Sequence, residues 1–367
     1  MSIRSLLILG ASITGGFLHS ARSEELPPLP EVAKLALSED WSSGEIDPGR
    51  WYALRKRWGQ GNSGVVPENI SIAQDTVRGK QQNVLRCTAN GDKYDGPVTG
   101  QKNNKARVGG VLVSKQHFAS GRFEVVMKIG EPSQPNPAGM VAAIWTYGYR
   151  AVKVAPEKSD DFDPDTPTYH PYLQEWAKGN CFYWSEIDFP EYGKAGEYAK
   201  PMYNTFLNKQ KHSTTFDVHG AADGDYHTYT TEWRTGLKPI ADVKDNQVAE
   251  FEGLFFVQDK AIPYESYWGS PLKKIGPDQY AVYSGLSAKH WVDGKFVGEN
   301  TSFVPAMGGQ LNLGVWLPEW AGAADWETAP VSFASVKVWR YGDPGDVLGF
   351  LKDDIGNNFD KQGEPIH

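Results

Sequence analysis

The sequence predicts an all-β protein built as a sandwich of two antiparallel sheets. Segments of about five to eight residues alternate apolar and polar side chains, which is the period of half-buried strands. Glycine and proline are frequent, at 39 and 24 residues, and they separate these segments with turn signals. After the proline-rich stretch at 26–30, no segment shows a convincing amphipathic helical period. Many short strands joined by turns are typical of an antiparallel sandwich.

The strand pattern is clearest in four segments, at 111–114, 121–129, 226–233 and 331–339. A hairpin is predicted over 290–297, because Asp293 and Gly294 lie between two alternating runs and fit a type I′ turn. Two stretches, at about 149–180 and 237–289, look like insertions into this framework. Long loops on a rigid sandwich are where binding function tends to lie.

The N-terminus has the pattern of a secretory signal peptide. Arg4 precedes an apolar run over 6–18, and the small residues Ala21 and Ser23 follow, as at a cleavage site. The apolar run is shorter than the roughly 20 residues that span a bilayer, and the alternative is a short buried helix. We therefore expect a signal peptide at 1–23, a spacer at 24–39 and a periplasmic or extracellular mature protein. In that compartment Cys87 and Cys181 could form a disulfide, or both could be buried thiols.

Composition excludes some function classes. Lys and Arg number 37 against 45 Asp and Glu, so the net charge is 37 − 45 = −8, and no long basic run is present. Nucleic acid is therefore not an expected partner. The sequence also contains neither a Gly-rich phosphate loop nor G-x-S-x-G. Aromatic residues make up 13%, either as core side chains or as platforms for flat, partly apolar ligands such as sugars.

No cofactor or metal is predicted to be required. The two cysteines match no metal-site spacing. Asp161, Asp163 and Asp165 alternate in a way that could bind structural calcium. The glycine and the distal glutamate of an EF-hand loop are missing, which favours a solvated acidic loop.

The segment 183–192 carries the chemistry, because it places three carboxylates within six residues of a predicted strand. Alternation puts Glu186 and Asp188 on one face. Glu191 would point to the opposite face of a regular strand. Pro190 favours a bulge, and the extra residue of a bulge would bring Glu191 to the face of the other two carboxylates.

This spacing points to glycoside hydrolysis with retention of configuration. Glu186 and Glu191 would be roughly 13 Å apart at Cα, at ~3.3 Å per residue, and inward-leaning side chains shorten this distance. A carboxyl separation of about 5–6 Å is then attainable, close to the 5–5.5 Å that retaining enzymes need. Repulsion within the row would hold a proton between Asp188 and Glu186 and keep Glu191 protonated as the acid. The alternative is an acidic edge strand that discourages aggregation.

The run EIDFPE at 186–191 resembles the E-x-D-x-x-E signature of glycoside hydrolase family 16, which lies on a strand of a concanavalin-like β-sandwich jelly roll. The segments 120–125 and 142–147 are similar to the paired strands that precede this signature. Further similar segments follow in the family's order, at 227–233, 291–295, 312–316 and 335–339. The resemblance covers roughly 40–345. It implies one catalytic domain with a concave substrate cleft, flanked by the two insertions and followed by a tail at 346–367.

The resemblance also implies roles for individual residues. Glu186 would be the nucleophile, Asp188 its assisting residue and Glu191 the general acid/base. The predicted substrate-binding residues are Trp145, Tyr147, Trp184, His227 and Trp316. Among these, Tyr147 and His227 are weaker candidates, as is Arg107, and the alternative for His227 is a buried histidine bonded to backbone. Trp320 and Trp326 could be either sugar-binding rings or loop anchors.

The predicted function is a secreted, retaining endo-glycosidase that hydrolyses internal β-linkages of a β-glucan or galactan-class polysaccharide. The alternatives are a transglycosylase on the same scaffold and a non-catalytic, lectin-like carbohydrate-binding module. We expect a polysaccharide as partner, a monomeric state, no nucleic acid and no membrane insertion.

Overall fold

A computed structural model describes residues 25–151, 182–207, 210–251, 254–257 and 271–347. Over these residues the chain forms strands connected by turns and three-residue 3₁₀ helices. The strands are β1 (Lys34–Glu39), β2 (Trp51–Ala53), β3 (Ile70–Val77), β4 (Lys80–Asn90), β5 (Gly110–Phe118), β6 (Gly121–Glu131), β7 (Gln134–Pro135), β8 (Val141–Ala151), β9 (Phe182–Glu191), β10 (Met202–Leu207), β11 (Gln210–Thr215), β12 (His227–Arg234), β13 (Leu237–Ile240), β14 (Val248–Phe251), β15 (Leu254–Val257), β16 (Lys273–Gly276), β17 (Gln279–Tyr283), β18 (Ser287–Val292), β19 (Lys295–Asn300), β20 (Gly309–Trp316) and β21 (Thr328–Arg340). The 3₁₀ helices are Pro67–Asn69, Gln101–Asn103, Lys194–Gly196, Asp245–Gln247 and Glu319–Ala321.

Two large antiparallel sheets form the sandwich. The outer sheet has nine strands in the order β19-β18-β12-β6-β21-β4-β3, with β1 added to β21 and β7 added to β6. The cleft sheet has seven strands in the order β11-β10-β9-β8-β20-β5-β2. Neighbouring strands in a sheet are often distant in sequence, so the chain crosses repeatedly between the sheets, as in a jelly roll. The predicted all-β sandwich is confirmed.

The core lies between the sheets because each strand alternates its side chains. On β9, Ile187 and Phe189 are 1% and 2% exposed and pack against Phe123 of the outer sheet, with the Phe123 and Phe189 ring centroids 5.4 Å apart. Glu186 and Asp188 therefore project from the opposite face of β9, away from the core.

The sequence predicted several elements correctly. The four segments named above lie in β5, β6, β12 and β21, apart from Tyr226, which precedes β12. The hairpin joins β18 to β19 through Asp293 and Gly294, whose φ angles of 48° and 76° are the positive values of a type I′ turn. One expectation was wrong: 120–125 and 142–147 do not pair. They lie in β6 and β8, which belong to opposite sheets and pair with other strands.

The predicted spacer and the predicted insertion at 237–289 both contain strands. The predicted spacer contains β1, which pairs with the end of β21, and Leu37 is buried in the core. The predicted insertion at 237–289 lies between β12 and β18 of the outer sheet. Its described residues form two small sheets, β13-β17-β16 and β14-β15, around a separate apolar cluster that includes Val243 and Leu272.

Several predictions fall on residues outside the described ranges. These are the signal peptide at 1–23, most of the insertion at 149–180, the acidic run with Asp161, Asp163 and Asp165, Cys181, and nearly all of the tail. Cys87 is described and is fully buried in the core. In the described ranges, no helix is long and apolar enough to cross a bilayer.

Candidate active site

A bulge in β9 brings the three carboxylates to one face. Asp188 pairs with Trp145 of β8, and Glu191 pairs with Ala143, so three steps along β9 match two steps along β8. The register against β10 shifts at the same place. The bulge predicted from Pro190 is therefore confirmed. Its extra residue returns Glu191 to the face of Glu186 and Asp188.

Glu186 is held from both sides. The indole Nε1–H of Trp184 donates a hydrogen bond of 2.6 Å to Glu186 Oε2. The indole stacks on Phe206 of β10, with centroids 4.8 Å apart and planes 11° apart. On its other side, the Glu186 carboxyl is hydrogen-bonded to Asp188, which is only 4% exposed. These contacts fix the orientation of the Glu186 carboxyl group.

Asn204 of β10 links the other two carboxylates. Its Nδ2 lies 2.6 Å from Asp188 Oδ2 and 2.9 Å from Glu191 Oε2, and it donates a hydrogen bond to each. Ser213 of β11 donates its hydroxyl to Asn204 Oδ1. The hydrogen bonds thus run without a break from Glu186 through Asp188 and Asn204 to Glu191.

Burial raises the pKa of all three carboxyls, and the charge of Asp188 adds to this effect at Glu186 and Glu191. The pKa of Glu186 is well above its usual range, mainly through burial and then through the charge of Asp188. Burial raises the pKa of Asp188 to about 6, although hydrogen bonds from Asn204 and Glu186 oppose the change. Burial and the charge of Asp188 raise the pKa of Glu191 to about 8. At neutral pH, Glu191 is therefore protonated, and Glu186 and Asp188 share a proton.

The row lies in a cleft of about 530 Å³ on the face of the cleft sheet that points away from the core. Strands on both sides of β9 contribute to its walls. The lining residues are Tyr52, Leu54, Lys56, Trp58, Gly59, Ala143, Trp145, Tyr147, Trp184, Glu186, Asp188, Glu191, Lys194, Met202, Phe206, Lys211, Gln310, Asn312, Trp316 and Trp320. Four of the five predicted substrate-binding residues are among them.

Indole rings form one wall of the cleft. Trp58 contacts both Trp145 and Trp316, with ring centroids 6.5 Å and 5.5 Å away. Trp316 also contacts Trp320 edge to face at 5.6 Å, and Trp320 is 41% exposed. These rings offer flat apolar surface on the β8 and β20 side of the carboxylates, and Tyr147 continues it opposite Glu186.

Lysines supply the positive charge in the cleft. Lys56 Nζ lies 5.4 Å from the ring centroid of Tyr147, and Lys211 Nζ lies 4.9 Å from that of Phe206. Lys211 and Lys194 both lower the pKa of Glu191, although burial outweighs them. The described cleft lining thus combines three lysines with the three carboxylates.

His227 was predicted to bind substrate, and this was wrong. It lies on β12 of the outer sheet, and its ring nitrogens are 2.6 Å from Asp293 Oδ2 and 3.0 Å from Asp223 Oδ1. Burial lowers the pKa of His227, but these two hydrogen bonds outweigh burial and raise it. The histidine therefore ties two loops of the outer sheet together.

Two weaker candidates also lie away from the cleft lining. Arg107 forms a bidentate ion pair with Asp92 and donates to the carbonyl of Gly322. Trp326 packs against the core and donates its Nε1–H to the carbonyl of Ala138. Trp326 is thus a loop anchor, whereas Trp320 lines the cleft.

The sequence interpretation missed residues that come from neighbouring strands. Asn204 and Phe206 lie on the same face of β10, and the pairing of Phe206 with Glu186 places them beside the row. An alternating run directly after the signature strand could have identified both. Trp58 and Lys56 follow the short strand β2, at the far edge of the sheet, and only the strand order brings them to the site.

The described ranges contain no group of three side chains arranged to hold a metal ion. The described part of the 237–289 insertion contributes no residue to the cleft lining, because it lies between β12 and β18 of the outer sheet.

No protein-family model and no curated protein matches the chain. Among solved structures, it is similar to a β-1,3-1,4-glucanase (lichenase) derived from a mouse hindgut metagenome, at 18% identity and a TM-score of 0.46, over 82% of this chain and 97% of that chain. It is also similar to a Bacillus licheniformis β-glucanase, at 16% identity and a TM-score of 0.46, over 82% of this chain and 96% of that chain. A third similar structure is the laminarinase catalytic domain of Thermotoga maritima MSB8, at 14% identity and a TM-score of 0.48, over 84% of this chain and 98% of that chain.

Proposed function

We propose that this protein is a secreted glycoside hydrolase of the family 16 type that cleaves internal β-glycosidic bonds of a β-glucan or galactan-class polysaccharide with retention of configuration. One observation carries the proposal. The bulge in β9 aligns Glu186, Asp188 and Glu191 on the floor of an aromatic-walled cleft, with Glu191 protonated at neutral pH.

In the first step, Glu186 attacks the anomeric carbon and forms a covalent bond to it. The bond from that carbon to the departing sugar oxygen breaks, and Glu191 gives its proton to this oxygen. In the second step, Glu191 takes a proton from water while the water oxygen attacks the same carbon. The bond to Glu186 breaks as the bond to water forms, so two inversions give net retention.

Asp188 controls which group carries the shared proton. Glu186 attacks as a carboxylate, so the shared proton resides on Asp188 at that moment. Trp184 stabilises the charged Glu186 with its indole N–H, and Asn204 holds the far oxygen of Asp188. Retention requires the Glu186 and Glu191 carboxyls to lie about 5–5.5 Å apart, because an inverting enzyme needs a wider gap between its carboxyls to hold a water molecule.

Internal cleavage is supported by the position of the row within the cleft. Phe206 and Lys211 line it on the β10 and β11 side, and Trp316 and Trp58 line it on the other side. A chain of sugars bound across β9 would contact both walls. The signal-peptide pattern at the N-terminus supports export to the compartment where such polymers are met.

The test is hydrolysis of a panel of laminarin, lichenan, agarose, porphyran, carrageenan and mucin glycans, with product anomers followed by NMR. We expect products of intermediate length from one polymer, with the β-configuration formed first. Glu186→Ser and Glu191→Gln should nearly abolish cleavage while polymer binding remains. Products longer than the substrate would instead assign a transglycosylase. Binding without cleavage by the wild type would assign a lectin-like module.

A further inference from the structure

Asn204 bridges two of the three carboxyls, although it is not an acid itself. It is 0% exposed, and both hydrogens of its single Nδ2 are used, one on Asp188 Oδ2 and one on Glu191 Oε2. A buried carboxamide with all its donors committed to two acids has one orientation open to it. Asn204 therefore holds the acid and the assisting carboxylate in a fixed relation.

Ser213 fixes which end of the carboxamide faces the acids. Its hydroxyl donates to Asn204 Oδ1, so the oxygen points toward β11 and the amide nitrogen points toward the carboxylates. The reverse orientation would place Oδ1 against Asp188 and Glu191, where it would repel any ionised carboxylate. The hydroxyl of an exposed edge-strand residue thus sets the orientation of a buried amide.

The consequence concerns the proton on Glu191. Because Glu191 Oε2 accepts a hydrogen bond from Asn204, the acid proton resides on the other oxygen, Oε1. We infer that Asn204, oriented by Ser213, is a positioning residue that confines the acid proton of Glu191 to Oε1 and holds that oxygen toward the bound substrate. This inference rests on the proposed function, since it assigns a direction to the same proton transfer.

The same contact assists the return step. When Glu191 has given up its proton, the Asn204 N–H that lies on Oε2 stabilises the new carboxylate. Oε1 is then the oxygen that takes the proton from water. Asn204 therefore contributes to both halves of the reaction without touching the sugar.

The decisive experiment compares leaving groups. Asn204→Ala is assayed on the natural polymer and on the dinitrophenyl glycoside of the oligosaccharide that the wild type releases, whose leaving group needs no proton. General acid catalysis contributes about 10²–10⁴-fold, and we expect roughly 10- to 100-fold of this to be lost in kcat/KM on the polymer. On the aryl glycoside, kcat/KM should fall by a clearly smaller factor, which reflects only the lost contact of Asn204 with Asp188, since kcat/KM on this substrate reports the first step without proton transfer to the leaving group.

Asn300→Ala is the matched control. Asn300 is 1% exposed and donates Nδ2 to the carbonyl of Tyr203 at 3.0 Å, but it contacts none of the three carboxylates. Asn300→Ala should change kcat/KM by the same factor on the polymer and on the aryl glycoside. Asn204→Ala should also move the basic limb of the kcat/KM profile to higher pH, because the Asn204 hydrogen bond lowers the pKa of Glu191.

Ser213 keeps the inference testable if Asn204→Ala does not fold. Ser213→Ala should lower kcat/KM on the polymer alone, by less than Asn204→Ala does. Ser213→Thr, which retains the hydroxyl, should restore kcat/KM on the polymer. Equal losses on both substrates, or an unshifted basic limb, would overturn the inference while leaving the proposed function intact. A wild type that cleaves neither substrate would overturn the proposed function itself.

Discussion

Replacing Glu191 with Gln should change how stability depends on pH. The folded-state pKa of about 8 lies above the ordinary 4.5, so the folded protein binds this proton more tightly than the unfolded chain. The resulting stabilisation is complete below about pH 4.5 and is lost as pH rises through about 8. At about 1.4 kcal/mol per pKa unit, the full loss amounts to at most about 5 kcal/mol.

Glu191→Gln removes this loss, because glutamine stays neutral and has nearly the same shape. At pH 4 the wild type and the variant should unfold at similar temperatures. At pH 9 the variant should be the more stable, by roughly 10 °C at about 2–4 °C per kcal/mol. The assay is thermal unfolding followed by tryptophan fluorescence at half-unit steps from pH 4 to 9. A difference between the two midpoints that stays constant over this range would refute the raised pKa of Glu191.

Further predictions concern the residues around the row. Lys211→Met should shift the basic limb of the pH profile of kcat/KM to higher pH than the wild-type limb near pH 8, because Lys211 lowers the pKa of Glu191. An unshifted limb would show that the lysine does not act on the acid. Trp184→Phe removes a hydrogen bond to a charged Glu186, so kcat should fall about 10- to 100-fold with little change in KM. Trp58→Ala should raise KM roughly 2- to 10-fold and leave kcat nearly unchanged, since stacked aromatic contacts are worth about 0.5–1.5 kcal/mol; a fall in kcat alone would contradict a binding role.

The sequence alone was sufficient where local rules decide the structure. Alternation fixed the face of Glu186 and Asp188, and a proline that cannot donate to a ladder located the bulge that turns Glu191 to the same face. Similarly, an Asp-Gly pair between alternating runs was enough to place the hairpin at Asp293. These features depend on residues within a few positions of one another.

Features that depend on strand order could not be predicted from local patterns. The segments 120–125 and 142–147 are close in sequence, yet they lie in opposite sheets because the chain crosses the sandwich between them. Trp58 reaches the cleft through the position of β2 at the end of the cleft sheet. His227 has the residue type of a ligand-binding group, but β12 carries it to the outer sheet, where two aspartates bind it.

The most direct test of the proposed chemistry is to trap the covalent intermediate. A 2-fluoro glycoside with a good leaving group should form the bond to Glu186 quickly and release it slowly, since the fluorine destabilises both transition states. Proteolysis and mass spectrometry should then find one added sugar on the peptide that contains 182–191, with fragmentation locating it at Glu186. A sugar on any other residue, or turnover without a covalent adduct and with inverted product, would contradict the assignment of Glu186 as the nucleophile.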